Sequence, residues 1–115
     1  MSNEIKHDLI VAVVNQGYSN ELITAARGAG AYGGTVISAR GMTHDGPVKF
    51  FGLSLQEDKE IILILAEKEQ KLPVMQKVSL DFGISTQAEG IVFSLPVDAL
   101  AARSPLAASA ASCAL

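Results

Sequence analysis

Tryptophan is absent from this chain, and four phenylalanines and two tyrosines are its only aromatic residues. Basic residues are in the minority: nine Lys and Arg stand against twelve Asp and Glu, for a net charge of −3. With neither a basic cluster nor interleaved aromatics, the electrostatic footprint of a nucleic-acid binder is missing. The single cysteine, Cys113, has no partner for an intrachain disulfide, so a reducing, cytoplasmic setting is expected. Long apolar runs are lacking too. The longest, Leu9–Val14 and Ile61–Ala66, are six residues each, against the roughly 20 that a membrane-spanning helix needs. Met1–Asp8 carries Glu4, Lys6, His7 and Asp8 ahead of the first apolar run and does not read as a secretory signal. The two histidines, His7 and His44, fall in polar segments, and acidic pairs such as Glu57-Asp58 fall in expected turns. No nucleophile–base pair can be assembled from these residues. The scarcity of Cys and His also argues against a metal centre. The expectation is therefore a protein that binds rather than an enzyme, with no metal.

What is present is enough for one domain: 115 residues, 49 % of them hydrophobic. Asp8–Asn15 (DLIVAVVN) is short and β-branched and predicts a strand. Ser19 is placed to cap a helix over Asn20–Ala29, with Glu21 in its first turn and Leu22, Ile23, Ala26 and Ala29 on one apolar face. Gly30 is the expected left-handed stop. Thr35–Arg40 predicts a second strand, and Gly41–Lys49 reads as a loop. Phe50–Gln56 reads as extended, Glu57-Asp58-Lys59 as a polar interruption, and Glu60–Ala66 as a strand. A second helix is expected to begin near Lys71, or to bend there, because an interior proline loses a hydrogen bond and clashes with the preceding turn. Its apolar face is read as Leu72, Met75, Val78 and Phe82, and Gly83 ends it. Gly90–Val97 is the last strand, with Pro96 placing it at a sheet edge. Asp98–Arg103 reads as a helical turn. Residues 1–103 form the expected domain, and the Ala/Ser-rich stretch 104–115 reads as a flexible tail.

The order β-α-β-β-α-β, with right-handed crossovers, predicts a ferredoxin-like α+β sandwich. Two helices cover one face of a four-stranded antiparallel sheet. A sheet with one wet face should alternate apolar and polar residues. Leu9–Val14 and Ile61–Leu65 do not: they are apolar on both faces. Two helices cover one face only, so the other is expected to pack against copies of the same chain.

Three segments in this order carry a family resemblance: Ala31–Gly41 (AYGGTVISARG), Asp58–Leu65 (DKEIILIL) and Glu89–Val97 (EGIVFSLPV). Together, over roughly Asp8–Leu100, the chain resembles the PII signal-transduction family of nitrogen-regulatory proteins. The resemblance implies a cytoplasmic homotrimer that binds adenine nucleotide (ATP, ADP or AMP) in clefts between subunits. It implies that the loop after the second strand, Met42, Thr43, His44, Asp45, Gly46 and Pro47, docks onto a regulated protein such as a transporter or an enzyme. The cleft residues implied are Thr35, Gly41 and Thr43, with Ile64 beside the base and Arg40 as a neighbouring charge. Glu89 and Gly90 occupy the turn before the last strand, and Arg103 follows it.

The departures from the family pattern are equally specific. Thr86-Gln87-Ala88-Glu89 replaces a glycine-rich, lysine-bearing turn, so a carboxylate stands where phosphate would meet an ammonium. Leu100, Ala101 and Ala102 fill the region of two arginines, leaving only Arg103. The expectation is weak ATP binding, or a less charged ligand such as AMP, a related adenylate or a small anion. The loop Gly41–Lys49 is shorter than in the family and contains no tyrosine to modify. A trimeric, divalent-cation-responsive ferredoxin-like protein without nucleotide binding is the alternative. For His44 and Asp45, metal or partner contact stands beside simple solvation. Lys49 and Lys59 read as surface charges.

Overall fold

The computed structural model describes residues 6–41, 48–50, 53–55 and 57–101. Strand β1 (His7–Asn15) is followed by α1 (Ser19–Gly28), β2 (Thr35–Gly41), a short ribbon of β3 (Val48–Phe50) and β4 (Leu53–Leu55), and β5 (Glu57–Glu67). A 3-10 turn (Lys68–Gln70) then leads into α2 (Lys71–Phe82), and β6 (Ile91–Pro96) completes the described chain. Four strands make one antiparallel sheet in the order β2-β5-β1-β6. Both helices pack on the same face of it, which is the expected βαββαβ ferredoxin-like plan.

Strand periodicity sends alternate side chains to opposite faces. On the helix side lie Ile10, Ala12 and Val14 of β1 and Ile62, Ile64 and Ala66 of β5, all buried against Leu22 and Ala26 of α1 and Val74, Val78 and Phe82 of α2. On the other side, register pairs align Leu9 with Leu65, Val11 with Leu63 and Val13 with Ile61. β6 adds Leu95, Phe93 and Ile91 opposite the same β1 residues. β2 adds Ile37 opposite Ile61 and Thr35 opposite Leu63. No helix among the described residues covers this face. Val11, at its centre, is only 8 % exposed because its strand neighbours shield it, whereas Phe93 and Leu95 towards the edge are 43 % and 50 % exposed. Completing the burial of one such side chain is worth up to about 1.5–3 kcal/mol.

Local chemistry explains the element ends. Ser19 does not cap α1: it is the first helical residue, and the N-cap Tyr18 makes no side-chain bond. A carboxylate from β5 takes that role. Glu60 Oε1 accepts from the backbone N–H of Gly17 at 3.0 Å and of Ser19 at 3.3 Å, placing negative charge at the positive end of the helix. Gly30 has the expected left-handed backbone, φ 121°. α2 begins at Lys71, so Pro73 sits in the first turn, where a backbone N–H has no acceptor within the helix to lose. The Lys71 ammonium lies 3.9 Å from the buried carboxylate of Asp8 and ties the start of α2 to β1.

Four sequence expectations need correction. The buried face of α2 is Val74, Val78 and Phe82, with Met75 half-buried. Leu72 lies about 200° round the helix from Val74 and faces outward. Glu57-Asp58-Lys59 does not interrupt a strand. It is the first part of β5 and pairs with Gly41, Arg40 and Ala39 of β2, polar because it lies beyond the helix-covered core. Gly41–Lys49 is not all loop: Gly41 ends β2, and Val48–Phe50 pairs with Leu53–Leu55 as a separate ribbon, so the described part of Phe50–Gln56 is extended as expected. The segment between the two main strands is thus 42–56, longer than the loop read from composition. Asp98–Ala101 is not helical. Pro96 ends β6 at a sheet edge as expected, and the expected tail 104–115 lies outside the described residues.

Gly90 closes the α2–β6 connection. Its N–H donates to Phe82 O at 2.8 Å, and a Cβ there would press on Phe82 O and lie 2.7 Å from Val14 Cγ1. Gly90→Ala is therefore expected to cost about 1–3 kcal/mol through overpacking. Urea denaturation checks this: a shift of the midpoint at unchanged slope is the expected result.

Candidate functional site

The end of the sheet where β1 finishes gathers the start of α1, the end of β2, the start of β5 and the 83–90 connection. Asn15 is the hub. Its backbone N–H donates to Ala88 O at 2.9 Å. Its side-chain Nδ2 donates to Gln87 O at 3.0 Å and to Glu89 Oε2 at 3.2 Å. Its Oδ1 accepts from Lys59 Nζ at 2.6 Å. The Asn15 amide therefore bridges an ammonium and a carboxylate. Glu89 adopts a left-handed backbone, φ 47°, unusual for a residue with a side chain. Beside this network is a shallow cavity of about 280 Å³, lined by Gln16, Ser38, Ala39, Arg40, Asp58 and Lys59. Charge here is mixed: Arg40 and Lys59 share it with Asp58, Glu60 and Glu89. Among the described residues the arrangement is not a basic cradle for several phosphates.

A second cavity, of about 400 Å³, lies at the opposite end of β2 and opens on the face without helices. Tyr32, Gly33, Gly34 and Thr35 form its rim, and Leu9, Leu63 and Leu65 its apolar floor. The pairing of β2 with β5 starts at Thr35 and Leu63, whereas β5 runs on to Glu67. Among the described residues, β5 beyond Leu63 has no partner strand on that side. Gly34 passes very close to it: a Cβ there would meet Ile62 Cγ2 and Leu63 O, both at 3.1 Å.

The residues expected in the cleft are therefore divided. Arg40, Gly41, Glu89 and Gly90 lie towards the Asn15 end. Gly41 packs on the side chain of Lys59, whose Cγ would be 3.0 Å from an added Cβ. Gly90 is buried and serves the packing of α2. Thr35 lies at the other end of β2, about 20 Å away by strand rise. Ile64 is fully buried, its side chain in the helix-side core. Met42, Thr43, His44, Asp45, Gly46, Pro47 and Arg103 lie outside the described residues. Sequence reading missed the parts played by Asn15, Gln87 and Lys59, because nothing local in the sequence reveals a hub assembled from β1, β5 and the last turn.

No family model matches this sequence, and no curated protein is similar to it in sequence. Solved structures do share its architecture. A PII-like signalling protein from Thermus thermophilus superposes with a TM-score of 0.61 at 17 % identity, covering 81 % of this chain and 87 % of that one. PII of Arabidopsis thaliana, bound to citrate, gives 0.59 at 21 % identity over 82 % and 77 % of the two chains. CutA of Synechococcus elongatus gives 0.59 at 12 % identity over 84 % and 80 %. The fold is thus the PII-like one, which CutA shares, carried by a divergent sequence. Among the described residues, no helix is long and apolar enough to cross a membrane, and no cluster of three or more His, Cys, Asp or Glu is placed to hold a metal ion.

The Asn15 hub is open to test. Asn15→Asp replaces the donor facing Gln87 O and Glu89 with an acceptor, so it is expected to destabilise the fold by about 1–3 kcal/mol. Asn15→Ala removes the bridge without creating that repulsion and should cost less. Chemical denaturation of the two variants side by side checks the order.

Proposed function

We propose that this chain is a PII-like regulator: a homotrimer that binds an adenine nucleotide or small metabolite at the seams between subunits and acts on a partner protein. The observation that carries this reading is the apolar face left bare by both helices, on a fold of the PII-like kind. Ile37, Ile91, Phe93 and Leu95 on that face are all at least 43 % exposed in the single chain, and contiguous apolar surface of this kind marks an interface. A closed ring of copies satisfies it with one repeated contact. The trimer is the ring size that the family resemblance implies.

Two lines bear on the ligand. The mixed charge around Asn15, with Glu89 drawn to its amide, favours a ligand with few negative charges, such as AMP or a small carboxylate, over ATP. The Arabidopsis PII that shares this fold is bound to citrate, which supports a small anion as one class of ligand. The segment 42–56 is the natural reader of occupancy, because it springs from Gly41 and Glu57 beside the Lys59–Asn15 contact. It contains no tyrosine, so tyrosine modification has no place in its control. The regulated target would be a transporter or an enzyme, and the chain itself a non-enzymatic cytoplasmic regulator.

The alternative raised by the sequence, a trimer responsive to divalent cations without nucleotide binding, stands as the second reading, and the PII-like fold, which CutA shares, does not separate it from the first. Fold similarity is equal for the two, 0.59 for PII and for CutA. The segments AYGGTVISARG and EGIVFSLPV, which carry the sequence resemblance, favour PII.

Sedimentation velocity checks the assembly: the protein should run as a trimer, and Ile37→Glu, which places a charge on the bare face, should shift it towards monomer. A stable wild-type monomer at low micromolar concentration would sink the seam. Isothermal titration with ATP, ADP and AMP checks the ligand, with AMP expected to bind at least as well as ATP. Titration with divalent cations separates the two readings, since heat from a cation and none from any adenylate selects the second.

A further inference from the structure

At the Asn15 hub an amine, an amide and a carboxylate are held together. Asn15 and Lys59 are register partners on the paired strands β1 and β5, and strand alternation puts both on the face opposite the helices. Lys59 Nζ lies 2.6 Å from Asn15 Oδ1. The carbonyl bond adds about 1.2 Å. The nitrogen is therefore within about 4 Å of the amide carbon, close to the separation at which a nucleophile attacks. Lys59 has other interactions as well, and each of them restricts the wandering of its nitrogen.

The carboxylate stands on the leaving side of that amide. Glu89 Oε2 accepts from Asn15 Nδ2 at 3.2 Å. The left-handed backbone at Glu89, φ 47°, is a costly conformation for a residue with a side chain, and such strain recurs at functional positions. A positioned amine, an amide carbon and a proton carrier at the leaving nitrogen are the parts that an amide exchange needs.

We infer that Lys59 and Asn15 join through an isopeptide bond, with Glu89 carrying the proton. The Lys59 ammonium first gives one proton to water, and the lone pair it gains attacks Asn15 Cγ. Once bonded to Cγ, Nζ lies next to Nδ2 and within reach of the same carboxylate. Glu89 takes the excess proton from Nζ and delivers it to Nδ2, and the Cγ–Nδ2 bond breaks. The products are an Nζ–Cγ amide and ammonia, which takes up the proton released at the start. Nothing is oxidised or reduced, and no co-reactant beyond water is needed. The link staples β1 to β5 two residues after β5 begins and removes one positive charge from the cavity that Arg40 and Asp58 line. It stands apart from the reading of the bare face, because both residues belong to one chain.

Intact-mass spectrometry of the full chain tests this, on fresh protein and after prolonged incubation in mildly alkaline buffer, where more of the amine is neutral. The expected result is a species lighter by one ammonia that grows with time. A tryptic map should then show the peptide holding Asn15 joined to the one holding Lys59, with no cleavage after Lys59. Lys59→Arg, which keeps the charge, and Asn15→Ala should each abolish both signals. Glu89→Gln, which keeps the shape and cannot carry the proton, should slow linkage on the order of a hundredfold. The linked chain should melt higher than Lys59→Arg, because the two residues are 44 apart in sequence and the bond closes that loop in the unfolded chain. The inference is overturned if the chain keeps its full mass under both conditions. It is overturned equally if Lys59→Arg also loses ammonia, since an asparagine has then cyclised onto its own backbone.

Discussion

Every element of this fold answers to one constraint: the two central strands are apolar on both faces, and only one face has helices to cover it. β1 and β5 pair along Leu9–Val14 and Ile61–Leu65, so each residue sent into the helix-side core has an aliphatic neighbour sent the other way. On the covered side the demand is met by Leu22, Ala26, Val74, Val78 and Phe82. On the bare side it is met only in part, by the strands' own side chains around Val11. The burial still missing is an incentive for association that the single chain carries wherever it goes. The placing of both cavities follows from this, because each lies beside the edge strand β2, where a packed neighbour would end.

The polar end of the sheet shows how charge is managed without a basic clamp. Glu60 closes the start of α1, and Glu89 is held by Asn15, which also takes the ammonium of Lys59. Two of the acidic groups near this end thus have backbone or amide donors. A carboxylate at position 89 looked hostile to an anionic ligand when read from sequence. In the fold it is turned onto a neutral amide, and part of its charge is balanced through one intervening residue. Repulsion of an anion is softened by this, although no phosphate cradle is created.

Much of this was legible in the sequence, and the reason is periodicity. The unbroken apolar runs announced two buried central strands, Gly30 announced the end of α1, and Pro73 pointed to a start or a bend near Lys71, of which the structure shows the start. The order of elements then gave the sheet. What failed did so where the local signal was ambiguous. Leu72 shares helical spacing with Met75 just as Val74 does with Val78, and only the packing of α2 on β1 decides between the two sets. Glu57-Asp58-Lys59 looked like a break because polarity was taken for a turn, when an edge pairing with β2 keeps it in the strand. Ser19 had the right chemistry for a cap but was outcompeted by Glu60, forty-one residues away in sequence. The site was less legible than the fold for the same reason: Asn15, Lys59 and Gln87 meet only through tertiary structure.

The separation of Thr35 from Gly41 bears on how such a site can work. They stand at the two ends of an edge strand about 20 Å long, so a small ligand of one subunit cannot rest on both ends within that subunit's own surface. The two ends are therefore separate surfaces of the single chain: the Tyr32–Thr35 rim, and the Arg40–Gly41 end from which segment 42–56 continues. The chemistry of the two ends argues for division of labour. One has an aliphatic floor with Tyr32 bonded to Glu67 at its rim, and the other is a network of hydrogen-bonded charges from which the 42–56 segment departs. The continuous pairing of β2 with β5, from Thr35 and Leu63 to Gly41 and Glu57, is what joins the two ends.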